Sequence, residues 1–118
     1  MTPTELKELA EWSAEFLGAE LGCFRKWPDT YTLIWEGGSI NFEAEDVFNS
    51  PHHAPILMHI GQEEMEKRWF EIVHFTWGGH TKYGCRVNGS EKHGHEPHTA
   101  YDDNKFIAFW LAVRDALK

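Results

Sequence analysis

The sequence predicts an α+β domain in which helices pack on a four-stranded antiparallel sheet, in the order α-β-β-α-β-β-α. Three observations carry this expectation. A one-sided helical pattern with its own start signal opens the chain, two aromatic and β-branched hairpin patterns are each punctuated by a Gly-Gly pair, and a sharply amphipathic pattern ends at Leu117. With 118 residues the chain is expected to be a single α+β domain, residues 1–118, burying roughly two thirds of its unfolded surface.

The elements follow in order. Thr2 and Glu5 form a capping box, and Pro3 stands where a helix loses nothing by lacking an N–H. Leu6, Leu9, Ser13, Phe16 and Leu17 then trace a buried stripe, with Gly18 as the expected terminator and Glu8, Glu11 and Glu15 on the opposite side. Between Cys23 and Phe42 the pattern becomes aromatic and β-branched, broken by Pro28-Asp29 and Gly37-Gly38. It predicts a short meander whose hairpin strands cover 31–35 and 39–42.

Ser50-Pro51 starts a second helix, in which Ile56, Leu57, Ile60 and Met65 continue the apolar spacing toward Arg68. Gly61 is expected to break it, since glycine costs about 1 kcal/mol relative to alanine in a helix interior. Trp69, Val73, Phe75 and Trp77 alternate with more polar residues, predicting a strand over 69–77, a Gly78-Gly79 turn and a return strand over 82–87 that ends at Asn88-Gly89. Residues 90–98 hold no large apolar group and read as an exposed loop. Thr99 and Asp102 offer a second capping box for a last helix whose buried face is Phe106, Phe109, Trp110, Val113 and Leu117. Six tryptophans and eight phenylalanines supply the expected core, each buried ring removing about 150–250 Å² from water.

The net charge of −8 is lopsided, with ten acids against three bases in residues 1–50 and nine against eight in 51–118. Direct nucleic-acid binding needs a basic patch that releases counterions, and none is present. A partner with a basic surface suits the charge better. The longest apolar run, 106–113, is too short to span a bilayer. The first residues lack the basic and apolar regions of a signal peptide, and Cys23 and Cys85 occur in no paired-ligand motif. The expectation is a cytoplasmic protein with two ordinary reduced thiols and no membrane association.

All eight histidines fall between positions 52 and 98. His93, His95 and His98 make an H-x-H-x-x-H run, and neutral imidazole is a good ligand for zinc, nickel or copper. Metallo-β-lactamase-like hydrolases use a similar run, but Pro97 stands where those enzymes have an aspartate ligand. A solvated loop is the simpler reading, with a weak surface metal site as the alternative, and no cofactor is expected. His52 and His53 open the second helix without a nucleophile nearby in sequence, and no G-x-S-x-G, H-E-x-x-H or phosphate-binding glycine loop occurs. Trp77, Lys82, Tyr83 and Arg86 could line a nucleotide pocket by stacking and charge, or Tyr83 could simply pack in the sheet.

Three segments stand out within residues 39–117: Ile40-Asn41-Phe42 ahead of an Asp46-containing loop and helix, Trp77-Gly78-Gly79 with Tyr83-Gly84-Cys85, and Asp102-Asp103 before the last helix. In these the chain resembles the phage ABA-sandwich and NinX-like group of small phage and prophage proteins. The resemblance implies a phage or prophage origin, a host bacterial cytoplasm, and a sheet between helical layers. It brings no active site to carry across, and the histidine-rich loop and acidic first helix depart from the group.

The expected function is therefore non-catalytic: an accessory protein that binds a host or phage macromolecule, such as a host-defence or nucleic-acid enzyme, through an acidic surface. Its candidate residues are Glu8, Glu11 and Glu15 on the first helix and Glu43, Glu45 and Asp46 in the first interhelical loop. The alternative is a small-ligand or nucleotide-binding protein, and a metal-dependent hydrolase built on the histidine loop comes third.

Overall fold

A computed structural model describes residues 1–21, 24–27, 30–35, 37–76, 82–89 and 96–118, the side chains of 20, 21 and 35 excepted. The expected α+β class is observed, but the four-stranded sheet is not: among the described residues six strands form two three-stranded antiparallel sheets. The chain divides into two compact units, Met1–Leu57 and Met58–Lys118.

In the first unit, Thr2 and Glu5 make the expected reciprocal cap. The Glu5 N–H donates to Thr2 Oγ1 and the Thr2 N–H to Glu5 Oε1, both at 3.2 Å. They open α1 (Pro3–Leu21), which buries Leu9, Ala10, Ala14 and Leu17 together with Ser13. The buried Ser13 hydroxyl donates to the Leu9 carbonyl at 2.8 Å, satisfying it within the helix. Gly18 does not terminate α1. A Cβ there would collide with the side chain of Phe24, so the glycine permits close packing rather than a left-handed exit.

Strands β1 (Phe24–Trp27), β2 (Thr30–Trp35) and β3 (Gly38–Glu43) form the predicted meander, in register Leu33↔Ile40 and Tyr31↔Phe42. With side chains alternating along each strand, Phe24, Tyr31, Leu33 and Phe42 share one face, and α1 lies on β1 and β2. Tyr31 stacks on Phe24 and meets Phe42 at a tilt, at centroid distances of 5.8 and 5.6 Å. Asp46, expected in a loop, instead opens a short helix, α2 (Asp46–Asn49), whose Val47 and Phe48 are buried. Ser50 then starts α3 (His53–Lys67) as predicted, its Oγ accepting the His52 and His53 N–H groups.

The boundary between the units falls within α3. The helix continues through Gly61 because the ring of Trp110 occupies the space a side chain would need, 2.6 Å from the ideal Cβ position. It ends in a Schellman motif: the Phe70 N–H donates to the Met65 carbonyl at 3.1 Å and the Trp69 N–H to that of Glu66 at 3.0 Å. Trp69 itself takes the left-handed position, φ 69°, normally filled by glycine. It therefore lies outside the strand predicted for 69–77.

Strands β4 (Glu71–Thr76), β5 (Tyr83–Asn88) and β6 (Pro97–Asp102) form the second sheet, with β5 central. Helix α4 (Lys105–Ala116) lies on β5 and β6 and encloses Cys85 and Val87 with Ala108, Phe109, Trp110, Ala112 and Val113. On the alternate face, Phe75 meets Tyr101 edge-on at 5.8 Å across Gly84. Strand β6 corrects two expectations. Pro97 and His98 belong to a strand rather than the loop, and Thr99 pairs with Arg86 rather than capping a helix. The N-cap of α4 is Asn104, whose Oδ1 accepts the Phe106 and Ile107 N–H groups at 2.8 and 3.3 Å.

The tryptophans also depart from expectation. Trp110 is fully enclosed and Trp12 half-buried, stacked on Phe16, whereas Trp27 and Trp69 are 62% and 69% exposed. Pro28-Asp29, Cys23, Trp77, the Gly78-Gly79 turn and residues 90–95 lie outside the described residues, as does the side chain of Trp35.

Candidate functional site

All six candidate carboxylates belong to the first unit, but they are not equivalent. Glu8 and Glu15 project from α1 into solvent, while Glu11 is half-buried and ion-paired with Lys26 of β1. Asp46 is likewise engaged within the fold: its Oδ2 accepts the Glu43 N–H at 2.9 Å and stands 3.6 Å from His53 Nδ1, which also lies 3.3 Å from Ser50 Oγ. Glu43 and Glu45 remain exposed around this turn. Glu8, Glu15, Glu43 and Glu45 thus present carboxylates with no ion-pair partner among the described residues.

The turn that carries Glu45 is brought next to the start of α1. Pro3, Leu6 and Lys7 line a cavity of about 500 Å³ together with Ala44, Glu45 and Phe48. Its lining is mainly apolar, and of the six candidate carboxylates Glu45 alone lines it among the described residues, together with the cation Lys7.

The second unit holds a different arrangement. Met58, His74, Phe75, Thr76, Tyr83 and Lys105 line a cleft of about 370 Å³. His74 lies on β4 with its ring stacked over Phe109, centroids 5.9 Å apart, and its Nε2 at 2.9 Å from Gln62 Oε1. A carbonyl oxygen only accepts, so this contact assigns the proton to Nε2. Burial pushes the His74 pKa down, and the neighbouring Lys105 ammonium lowers it further. Lys105 is the first residue of α4 and rests its Nζ 5.1 Å from the Phe106 ring, with no carboxylate partner among the described residues.

Sequence reasoning singled out only Tyr83 of this cleft. The three-residue step from Tyr83 to Arg86 puts them on opposite faces of β5, where Arg86 stands between Val73 and Thr99. Lys82 is exposed just before the strand, and Trp77 lies outside the described residues. The signal for His74, Thr76 and Lys105 was the period-2 placement of His74 and Thr76 on one strand face, together with a cation opening the next helix.

Of the histidine trio, only His98 is described, half-buried on β6 opposite Val87; His93 and His95 lie outside the described residues. No group of three or more His, Cys, Asp or Glu side chains is placed to hold a metal ion among the described residues. His59 is exposed and faces Glu63 at 3.0 Å. Cys85 is enclosed, and burial pushes its thiol up to about 12, which makes it a poor nucleophile near neutrality.

No family model, curated protein or solved structure matches the chain. No helix among the described residues is long and apolar enough to cross a membrane.

Proposed function

We propose that the chain is a non-catalytic phage or prophage accessory protein that acts by binding a macromolecule with a basic surface through the first unit. The observation that carries this reading is the agreement between charge and fold. Met1–Leu57 contains ten acids and three bases, whereas Met58–Lys118 contains nine acids and eight bases. One of the three bases in the first unit, Lys26, is already engaged by Glu11, while Glu8, Glu15, Glu43 and Glu45 stay exposed. Such a field attracts a cationic surface and repels nucleic acid. The partner class is a host-defence or nucleic-acid enzyme with a basic groove, and the phage origin rests on the residue-level resemblance over 39–117.

The test is capture from a bacterial lysate with the wild-type chain and with Glu8→Gln, Glu15→Gln, Glu43→Gln and Glu45→Gln combined. A Glu63→Gln, Glu71→Gln chain serves as the control in the second unit. The expected outcome is a basic protein retained by wild type and control, released as salt rises, and lost with the quadruple variant. Equal retention by all three chains removes the acidic surface from the account.

A further inference from the structure

We propose that the cleft between the adjoining ends of strands β4 and β5, at Thr76 and Tyr83, and the start of α4 binds a small organic monoanion, a carboxylate carried on a compact apolar body. This goes beyond the acidic-surface reading and concerns the other unit. The volume of about 370 Å³ lies at the small end of ligand cavities, which typically combine apolar walls with a few placed polar groups. Met58 supplies apolar wall, while Thr76 and Tyr83, on the same sheet face as His74, bring hydroxyl groups to the same space. Lys105 supplies one ammonium with no carboxylate partner among the described residues.

The charge inventory selects a monoanion. Lys105 is the one cation lining the cleft among the described residues. On the adjoining turn, Asp102 opposes Tyr83 in register and holds the Asn104 N–H at 2.8 Å, so a doubly charged ligand would meet repulsion there. The start of α4 adds a partial positive charge on the Lys105 side. His74 is fixed by Gln62 and Phe109, giving the cleft a neutral, rigid wall at neutral pH.

Benzoate, with benzamide as its uncharged counterpart, tests the inference by amide-resolved NMR titration of the full chain. The expected result is saturable shifts at His74, Thr76, Tyr83 and Lys105 for benzoate, with benzamide weaker by about tenfold. Lys105→Met should reduce benzoate affinity by a similar factor while leaving the remaining spectrum native, since Lys105 is exposed. Tyr83→Phe provides a second, milder variant and should weaken benzoate less than Lys105→Met. Equal binding of the two probes, no saturation, shifts centred elsewhere, or unchanged affinity in Lys105→Met would each overturn the proposal. None of these results bears on the capture experiment, so the two readings fail separately.

Discussion

Cys85 shows how burial alone decides a residue's chemistry. Its thiol is enclosed on β5 and raised to about 12, so iodoacetamide should leave it unmodified in the native protein under mildly alkaline conditions and label it once guanidinium unfolds the chain. Peptide mass mapping reads the result separately from Cys23. His74 gives the opposite case, with its pKa lowered from 6.5 by burial and Lys105. The unfolded chain then binds more protons than the folded one below 6.5, so this contribution to stability is complete above that pH and is lost as pH falls toward the lower folded value. Urea midpoints measured on both sides of 6.5 should fall with acidification, and the fall should be smaller in His74→Gln. Gly61→Ala tests packing against propensity. Alanine gains about 1 kcal/mol in a free helix, but here it meets the enclosed Trp110 ring at 2.6 Å, and overpacking costs about 1–3 kcal/mol. The unfolding midpoint of Gly61→Ala is therefore expected to drop. The sequence made Gly61 look like a break because its neighbour lies on a different helix, 49 positions away.

Element boundaries were legible where the signal was local. Thr2 and Glu5 cap α1 as their spacing implied, Ser50 starts α3, and the hairpin of β2 and β3 has the expected pairing. Strand β6 was missed because Pro97, His98 and Asp102 gave it a loop-like composition, although Thr99 and Tyr101 alternate with His98 and Ala100 across the sheet. The cap of α4 was misplaced for the same reason. Asn104→Ala should cost about 1 kcal/mol, while Thr99→Ala should leave the helix start intact; thermal unfolding with far-UV circular dichroism distinguishes them. At the end of α3, Trp69 occupies a left-handed position and is 69% exposed. Left-handed backbone costs a non-glycine residue about 1–2 kcal/mol, so Trp69→Gly is expected to raise the denaturant midpoint. A lower midpoint would mean that the indole contributes more contact than its exposure indicates. The exposure of Trp27 and Trp69 was not legible, because an aromatic at strand spacing looks the same whether its face is covered or open.

Across the whole molecule, the division into two units left no linker signal in the sequence: the boundary lies inside the continuous periodicity of α3 rather than in a glycine- or proline-rich segment. The acidic character of the first unit was legible by counting, but its internal use was not, since Glu11 meets Lys26 and Asp46 meets His53 only through folding. That distinction predicts a separation of binding from stability. Neutralising Glu8, Glu15, Glu43 and Glu45 should change unfolding free energy by only about 0.5 kcal/mol even where it removes binding, as checked by calorimetry beside the capture assay. Topology has a further colloidal consequence. Two three-stranded sheets leave β1, β3, β4 and β6 as rims whose outer backbone groups have no strand neighbour among the described residues. Arg25 and Lys26 guard one rim, Glu43 and Glu71 stand on two others, and Pro97 withholds an N–H from the fourth. Such features oppose strand-by-strand growth between copies, and because charge supplies much of that opposition, concentrated solutions should stay clear at low ionic strength and turn turbid first as added salt screens it.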